Sequence, residues 1–503
     1  MKKSFWLSLA ASVCFVSSAF AGQGLIINIS GDPVLWDNSA SDPIDIHPEA
    51  GSCGQFNNSQ MVTKLTNNLD EWASISTLDL DFDIITGTIT EDVDGDNYTS
   101  YLAGVSGNTS SQSTANVQDN INPILFDDDG EITDAATGVN NGRFSILGFA
   151  IPAGFTVDSS NTDLYLDIVD GQAVFNCYCL EDDQGDPQNS DCTTRGASFS
   201  EDDLDFTMIH ELGHFINLDH SQINADVVGG SDAEEDSLPT MYPASVNAAV
   251  QKTVMEDDIV AASSLYPSSS FSNTYCTVTG SLIDRYDEEM RCADLQFNHA
   301  TDISMSVSFT SGAYAPAEDY NGDSDTQDFD STEGHECQSD CGDFVFYLRP
   351  GETYTFDVAN IPGGSNGFEG GSGIGPCVNS QLTECTSTIL TACDSDPDSA
   401  FCRACVTNET ITTNTNGTSI ATLLAQCTAG STVNLGTIQT NSVSQFYVNT
   451  LSTSSGGTST SSSTTLSCSL NTESTSAPSA FVTVGALAMG LLSFVFLKRQ
   501  KSV

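Results

Sequence analysis

Along residues 22–268 the spacing of apolar positions switches between two periods, as it does in a unit that mixes helices and strands. Ile26-Ile27-Asn28-Ile29 and Ile44-Asp45-Ile46 alternate as strands do, and residues 78–85 alternate apolar side chains with aspartate, which predicts a half-buried strand. Between them, residues 61–72 place Val62, Leu65, Leu69 and Trp72 on one face of a helix. Residues 87–120 are rich in Ser, Thr, Asn, Gly and Asp and read as a loop insertion. A second helix is expected after Ser200, which with Asp203 has the form of a capping box, and Leu204, Met208, Leu212 and Phe215 make its apolar face. Past a polar linker at 268–274 the pattern becomes short strands separated by turns, at 277–283, 303–309, 344–348 and 354–358, the mark of an all-β sandwich.

This divides the chain into an α+β unit over 22–268, a β-sandwich over 276–360, a Gly/Cys-rich region over 361–450 and a Ser/Thr-rich spacer over 451–479. The two ends carry targeting signals. Residues 1–21 read as a secretory signal peptide: Lys2 and Lys3, an apolar stretch, then Ala19-Phe20-Ala21 as the cleavage site. Residues 480–503 read as a transmembrane or sorting segment. The run 481–497 has no charge and is followed by Lys498, Arg499 and Lys501, which should stay on the cytoplasmic side. Export through the Sec pathway and tethering at the cell surface, at least for a time, are the expectation. The membrane is thus an expected partner through the C-terminal segment.

Net charge is −55, and five of the 13 basic residues lie in the two terminal segments. Such a surface repels nucleic acid and anionic lipid, so nucleic acid is excluded as a partner. Of 16 cysteines, Cys14 leaves with the signal and Cys468 stands alone; the other 14, from Cys53 to Cys427, are an even number in an exported chain and predict disulfides. The spacings Cys402 to Cys405 and Cys337 to Cys341 also mimic zinc sites.

The chemistry concentrates in His210-Glu211-Leu212-Gly213-His214. Histidines at i and i+4 share a helix face and can grip one Zn²⁺, with the adjacent glutamate directed toward a metal-bound water. A catalytic zinc takes three protein ligands and leaves a fourth position open. His220 is the natural third ligand, but it lies too far along to share the helix face. The chain must therefore reverse after His214, and Asn217, which tolerates left-handed geometry, stands where that reversal is needed.

The run from His210 to Ser221, His-Glu-Leu-Gly-His-Phe-Ile-Asn-Leu-Asp-His-Ser, resembles the extended zinc motif of the metzincin proteases, closest to the matrixins. It departs from them at Asn217, where that family usually has glycine. Pro239-Thr240-Met241-Tyr242-Pro243 is similar to the Met-turn, and Asp257-Asp258-Ile259 with Leu265-Tyr266-Pro267 to the closing helix of the catalytic domain. Further upstream, Trp72, the 78–85 strand and the run from Asn122 to Asp134 resemble elements of the same fold. The resemblance implies a twisted mixed sheet with an active-site helix, zinc on His210, His214 and His220, Glu211 as general base, Met241 beneath the metal, and protein or peptide substrates. No segment resembling a cysteine-switch propeptide precedes the unit. Val278 to Asp284 and Phe344 to Tyr354 resemble the carboxypeptidase-regulatory β-sandwich, a module without catalytic residues of its own.

Two acidic clusters, Asp92-Val93-Asp94-Gly95-Asp96 and Asp127-Asp128-Asp129-Gly130, are candidate calcium ligands or else solvated acidic turns; neither completes an EF-hand. The reading is therefore a zinc metalloendopeptidase acting on extracellular proteins. The alternative is a surface-anchored binding or adhesion protein that uses the protease fold as a scaffold, and Glu211 discriminates between them, since a scaffold has no need of a carboxylate there.

Overall fold

Ile124-Leu125-Phe126 is an unbroken apolar run, and a strand covered on both faces requires one. It forms the centre of the first sheet in the computed structural model. That model describes residues 24–444 except 29, 103–119, 138–140, 159–160, 183, 188, 222, 225–226, 229–230, 232–234, 316–339, 362–382, 397–398 and 400. The expected signal peptide, the spacer, the C-terminal segment and Cys468 all lie outside the described residues. Among the described residues no helix is long and apolar enough to cross a membrane.

The first sheet contains β1 (Leu35–Trp36), β2 (Ile44–Pro48), β3 (Phe82–Ile84), β4 (Pro123–Asp127), β5 (Gly148–Asp158) and β6 (Asn161–Asn176). Its order is β1-β6-β4-β2-β3, with β5 also paired to β6. Ala173 pairs with Ile124 on one side and Ala150 on the other, so β5 forms the edge beyond β6. The β5–β6 pair is antiparallel and the other pairs are parallel. The expected strand at 78–85 is confined to Phe82–Ile84, and of the strand expected at 26–29 the described residues 26–28 form no strand, only an isolated bridge from Ile27 beside one from Gly24.

Strand alternation sorts the buried side chains onto two faces. Ile124, Phe126, Ala150, Ala173 and Phe175 join a core with α1 (Asn58–Ala73) and the histidine-bearing helix. Leu125, Phe149 and Val174 point the other way, against Ile89, Val93, Tyr98, Leu102 and Ile132. The beginning of the stretch read as a loop insertion thus covers the second face of the sheet. Its apolar residues are too sparse to show a period, although Ile89, Val93, Tyr98 and Leu102 are all buried. Ile132 belongs to a short helix, α2 (Glu131–Thr137). On α1 the buried residues are Met61, Leu65, Asn68, Leu69 and Trp72, while Val62 is only half-buried.

The second unit has two sheets, β10-β7-β13 and β12-β11-β8-β9. Their strands are β7 (Cys276–Ile283), β8 (Asp294–His299), β9 (Val307–Thr310), β10 (Asp343–Leu348), β11 (Tyr354–Ala359), β12 (Glu409–Ile411) and β13 (Thr432–Gln439). They share one aromatic core: Phe297 stacks on Phe356 at 4.7 Å and meets Phe346 edge-on at 4.6 Å. β12 and β13 come from the stretch expected to be a separate Gly/Cys-rich region, and they complete both sheets. Where a strand was expected over 303–309, Ile303–Met305 forms a 3₁₀ turn, because the Asp302 side chain accepts from Ser304 N (3.2 Å), and β9 starts only at Val307.

Among the described residues the disulfides include Cys53–Cys177, Cys179–Cys192, Cys276–Cys427, Cys385–Cys405 and Cys393–Cys402, and Cys292 and Cys341 are also disulfide-bonded. Cys402 and Cys405 are therefore not a zinc pair. Cys53–Cys177 closes 124 residues and fastens the entry to α1 to the end of β6. A loop of this length constrains the unfolded chain strongly, so replacing both cysteines by alanine should lower unfolding free energy by about 2–5 kcal/mol, read as a lower urea midpoint.

Candidate metal centre

The helix that carries the site is α4 (Glu201–Phe215); it follows the short helix α3 (Ser190–Arg195). Its start is fixed as the sequence predicts: Asp203 N donates to Ser200 Oγ (3.3 Å), and Ser200 N donates to Asp203 Oδ2 (2.8 Å). Its middle is fixed by Trp72, fully buried, whose indole N–H donates to Ile209 O at 3.0 Å. Gly213 is required by close approach: a Cβ there would sit 2.3 Å from Met241 Sδ.

The helix ends in a Schellman turn. Asn217 has φ +71°, its N–H donates to His214 O (2.9 Å), and Leu218 N–H donates to Gly213 O (2.9 Å). Two further carbonyls at this end are satisfied from a distance, Phe215 O by Trp36 Nε1 (3.0 Å) and Ile216 O by the Tyr266 hydroxyl (2.9 Å). Neither partner is visible in the motif itself.

The reversal brings His220 back to the helix face. The Nε2 atoms of His210, His214 and His220 lie 3.1, 3.1 and 3.3 Å from one another. With Zn–N bonds of about 2.0–2.1 Å, two corners of a tetrahedron are ~3.3 Å apart, so the spacing suits three ligands of one zinc ion. Among the described residues this is the one place where three histidine, cysteine or acidic side chains bring ligand atoms within 4.8 Å of each other.

The protonation pattern points the same way. His210 Nδ1 donates to Thr240 O at 2.7 Å and His214 Nδ1 donates to Leu218 O at 2.8 Å. In the neutral ring this leaves both Nε2 atoms as acceptors. His210 has no exposed surface and His214 has 5%. Burial holds His210 well below the usual imidazole range, with His214 adding to the shift, and pushes His214 down to about 4. Two lone pairs 3.1 Å apart in a dry site repel unless a cation lies between them.

Behind the three histidines stands Asp258 on the helix Glu256–Leu265. Its carboxylate accepts from Thr240 N and Met241 N, both at 2.9 Å, and so sets the segment whose Thr240 carbonyl orients His210. Glu211 is buried beside β5, and its carboxylate accepts from the Ala150 N–H. Burial pushes its carboxyl up to about 8, above the ordinary value of 4.5. Sequence reasoning missed Ala150 and Trp36, and it named Asp258 and Tyr266 without their contacts, since each acts on a partner in another element.

The acidic clusters are arranged differently. Asp127 caps α2, accepting from Ile132 N (3.2 Å), Thr133 N (2.7 Å) and Thr133 Oγ1 (2.6 Å). Asp128 accepts from Gly54 N (2.5 Å), Asp129 from Glu131 N (2.9 Å) and Asp94 from Asp96 N (2.9 Å). The two clusters meet at Glu49, which is buried, accepts from Val93 N and Phe126 N, and feels the charges of Asp92 and Asp127. Burial first, then Asp92 and Asp127, raises its carboxyl from 4.5 to about 8. A carboxyl raised on folding contributes stability that is present below its unfolded pKa and lost as pH rises through the folded one. In calcium-free buffer the melting temperature should therefore fall between pH 4.5 and 8. Glu49→Gln should flatten that fall, which thermal melts across the range would read.

No protein-family model matches the chain, and no curated protein or solved structure is significantly similar to it.

Proposed function

We propose that the chain is an exported zinc endopeptidase that hydrolyses internal peptide bonds of extracellular proteins, a matrixin-like member of the metzincins. The observation that carries this reading is the convergence of three buried imidazole Nε2 atoms, two of them held as acceptors, next to a buried glutamate. The sheet with its antiparallel edge strand β5, and the succession of histidine helix, Met241 turn and the helix Glu256–Leu265, support the family reading. The disulfides support an oxidising compartment outside the cytoplasm.

A bound Zn²⁺ supplies Lewis acidity and a lowered pKa for water at this site. The chain's own residues do the remainder. His210, His214 and His220 hold the ion, with Nδ1–H of the first two fixed on backbone carbonyls. Glu211 takes a proton from the attacking water on its carboxylate and passes it to the leaving amine. The Ala150 N–H keeps the carboxylate in one orientation. The Ser/Thr-rich spacer is read as the part that lets this unit stand away from the membrane.

The test is incubation of the exported chain, residues 22–467, with a peptide library followed by mass spectrometry. Cleavage within peptides is the expected outcome. Retention of intact peptides on the zinc-loaded chain would favour the binding-protein alternative.

A further inference from the structure

Asn217 does more than turn the chain. It is fully buried, and its side-chain amide reaches a segment almost two hundred positions away in sequence. Oδ1 accepts from Ile26 N at 2.7 Å. Nδ2 donates to Ile26 O at 3.0 Å and to Val34 O at 2.7 Å, so both amide hydrogens are engaged. The backbone adds Leu25 N to Asn217 O at 2.9 Å, and Gly24 bridges Leu218. Val34 N donates to Ile26 O at 3.0 Å, which brings Ile26 and Val34 side by side with both their carbonyls turned onto the amide. Two residues further on, Trp36 caps Phe215 O. The fit is close: a Cβ on Gly24 would lie 3.0 Å from Asn217 Nδ2.

Glycine satisfies a left-handed φ at no steric cost, so backbone geometry alone gives no reason for asparagine here. The amide supplies one. Asn217 lies midway in the loop between His214 and His220, and Leu218 O in that loop orients His214 Nδ1. Whatever holds Asn217 therefore holds two of the three ligands in register.

We propose that Asn217 is a positioning residue of the metal centre, and that it works by fastening the N-terminal segment 24–34 over the loop that carries His220. This rests on the zinc reading of His210, His214 and His220. The segment acts as a strap: with it docked, the ligand loop has one conformation, and without it the loop is free to move His220 away from the other two histidines. Losses of this kind, in groups that orient metal ligands, typically weaken metal binding by roughly ten- to a hundredfold.

The experiment compares wild type, Asn217→Gly, a chain beginning at residue 29, and the two changes combined. Each is measured for Zn²⁺ affinity by chelator competition, for the visible absorption of the Co²⁺-loaded protein, and for metal-free melting temperature. Asn217→Gly keeps the left-handed turn and removes only the amide. It should weaken Zn²⁺ binding about ten- to a hundredfold and alter the Co²⁺ spectrum. The shortened chain should weaken binding in the same direction, and the combined loss should be less than the sum of the two, because the Asn217–Ile26 bonds are common to both changes. A purely structural role for Asn217 would lower the melting temperature and leave affinity and spectrum unchanged. Wild-type Zn²⁺ affinity in Asn217→Gly would overturn the proposal, and so would wild-type affinity in the shortened chain should the glycine variant fail to fold. If the wild type itself binds no Zn²⁺, the zinc reading fails, which is a separate and recognisable result.

Discussion

Glu211→Gln should bind Zn²⁺ as the wild type does and lose roughly a hundredfold or more in kcat, the range that general-base catalysis supplies. Glutamine keeps the volume and the packing of the original side chain, whose Cγ lies within 3.3 Å of a Cβ built on Gly148. It can still accept from Ala150 N–H. What it cannot do is take a proton from water and return it to an amine. The three imidazoles are untouched, so elemental analysis should find the same zinc content while peptide cleavage collapses. Cleavage at the wild-type rate would remove Glu211 from the mechanism.

His220→Ala has the second large effect, on the metal itself. His210 and His214 share one helix face and remain aligned by Thr240 O and Leu218 O, but two ligands leave the site half open. Affinity should fall by roughly a hundredfold or more, beyond the loss that follows from disturbing a group behind the ligands. Because metal bound only to the folded state stabilises it by mass action, the rise in melting temperature on adding zinc should also disappear. Unchanged zinc content in the purified variant would mean that a different residue completes the site.

The histidine motif was legible because its chemistry is local. Histidines four apart need only a helix, and the Ser200–Asp203 cap announces one. His220 could be placed because the reversal needs a residue tolerant of positive φ and Asn217 is one. The sequence could not show what Asn217 does with its side chain, since its partners Ile26 and Val34 lie far back in the chain. The same holds for Trp36, Tyr266 and Asp258, which serve the helix end and the Met241 turn from other elements. In the sheet, β2 was marked by the alternation Ile44-Asp45-Ile46, whereas β4 was not predicted as a strand, and the cover on its far face comes from Ile89, Val93, Tyr98 and Leu102, scattered through a polar stretch without a period. β13 was overlooked because the cysteines around it drew the reading toward a separate region, although Val433, Leu435 and Ile438 are buried in the sandwich core. The aspartate clusters were conspicuous, but Glu49, where they meet, carries no motif.

The most direct test of the zinc endopeptidase reading is digestion of casein by the purified exported chain before chelation, after removal of zinc with 1,10-phenanthroline, and after dialysis and return of Zn²⁺. The account predicts fragments in the first sample, none in the second and fragments again in the third. Equal digestion with the zinc removed, or no digestion by a chain shown to carry one zinc per molecule, would contradict it.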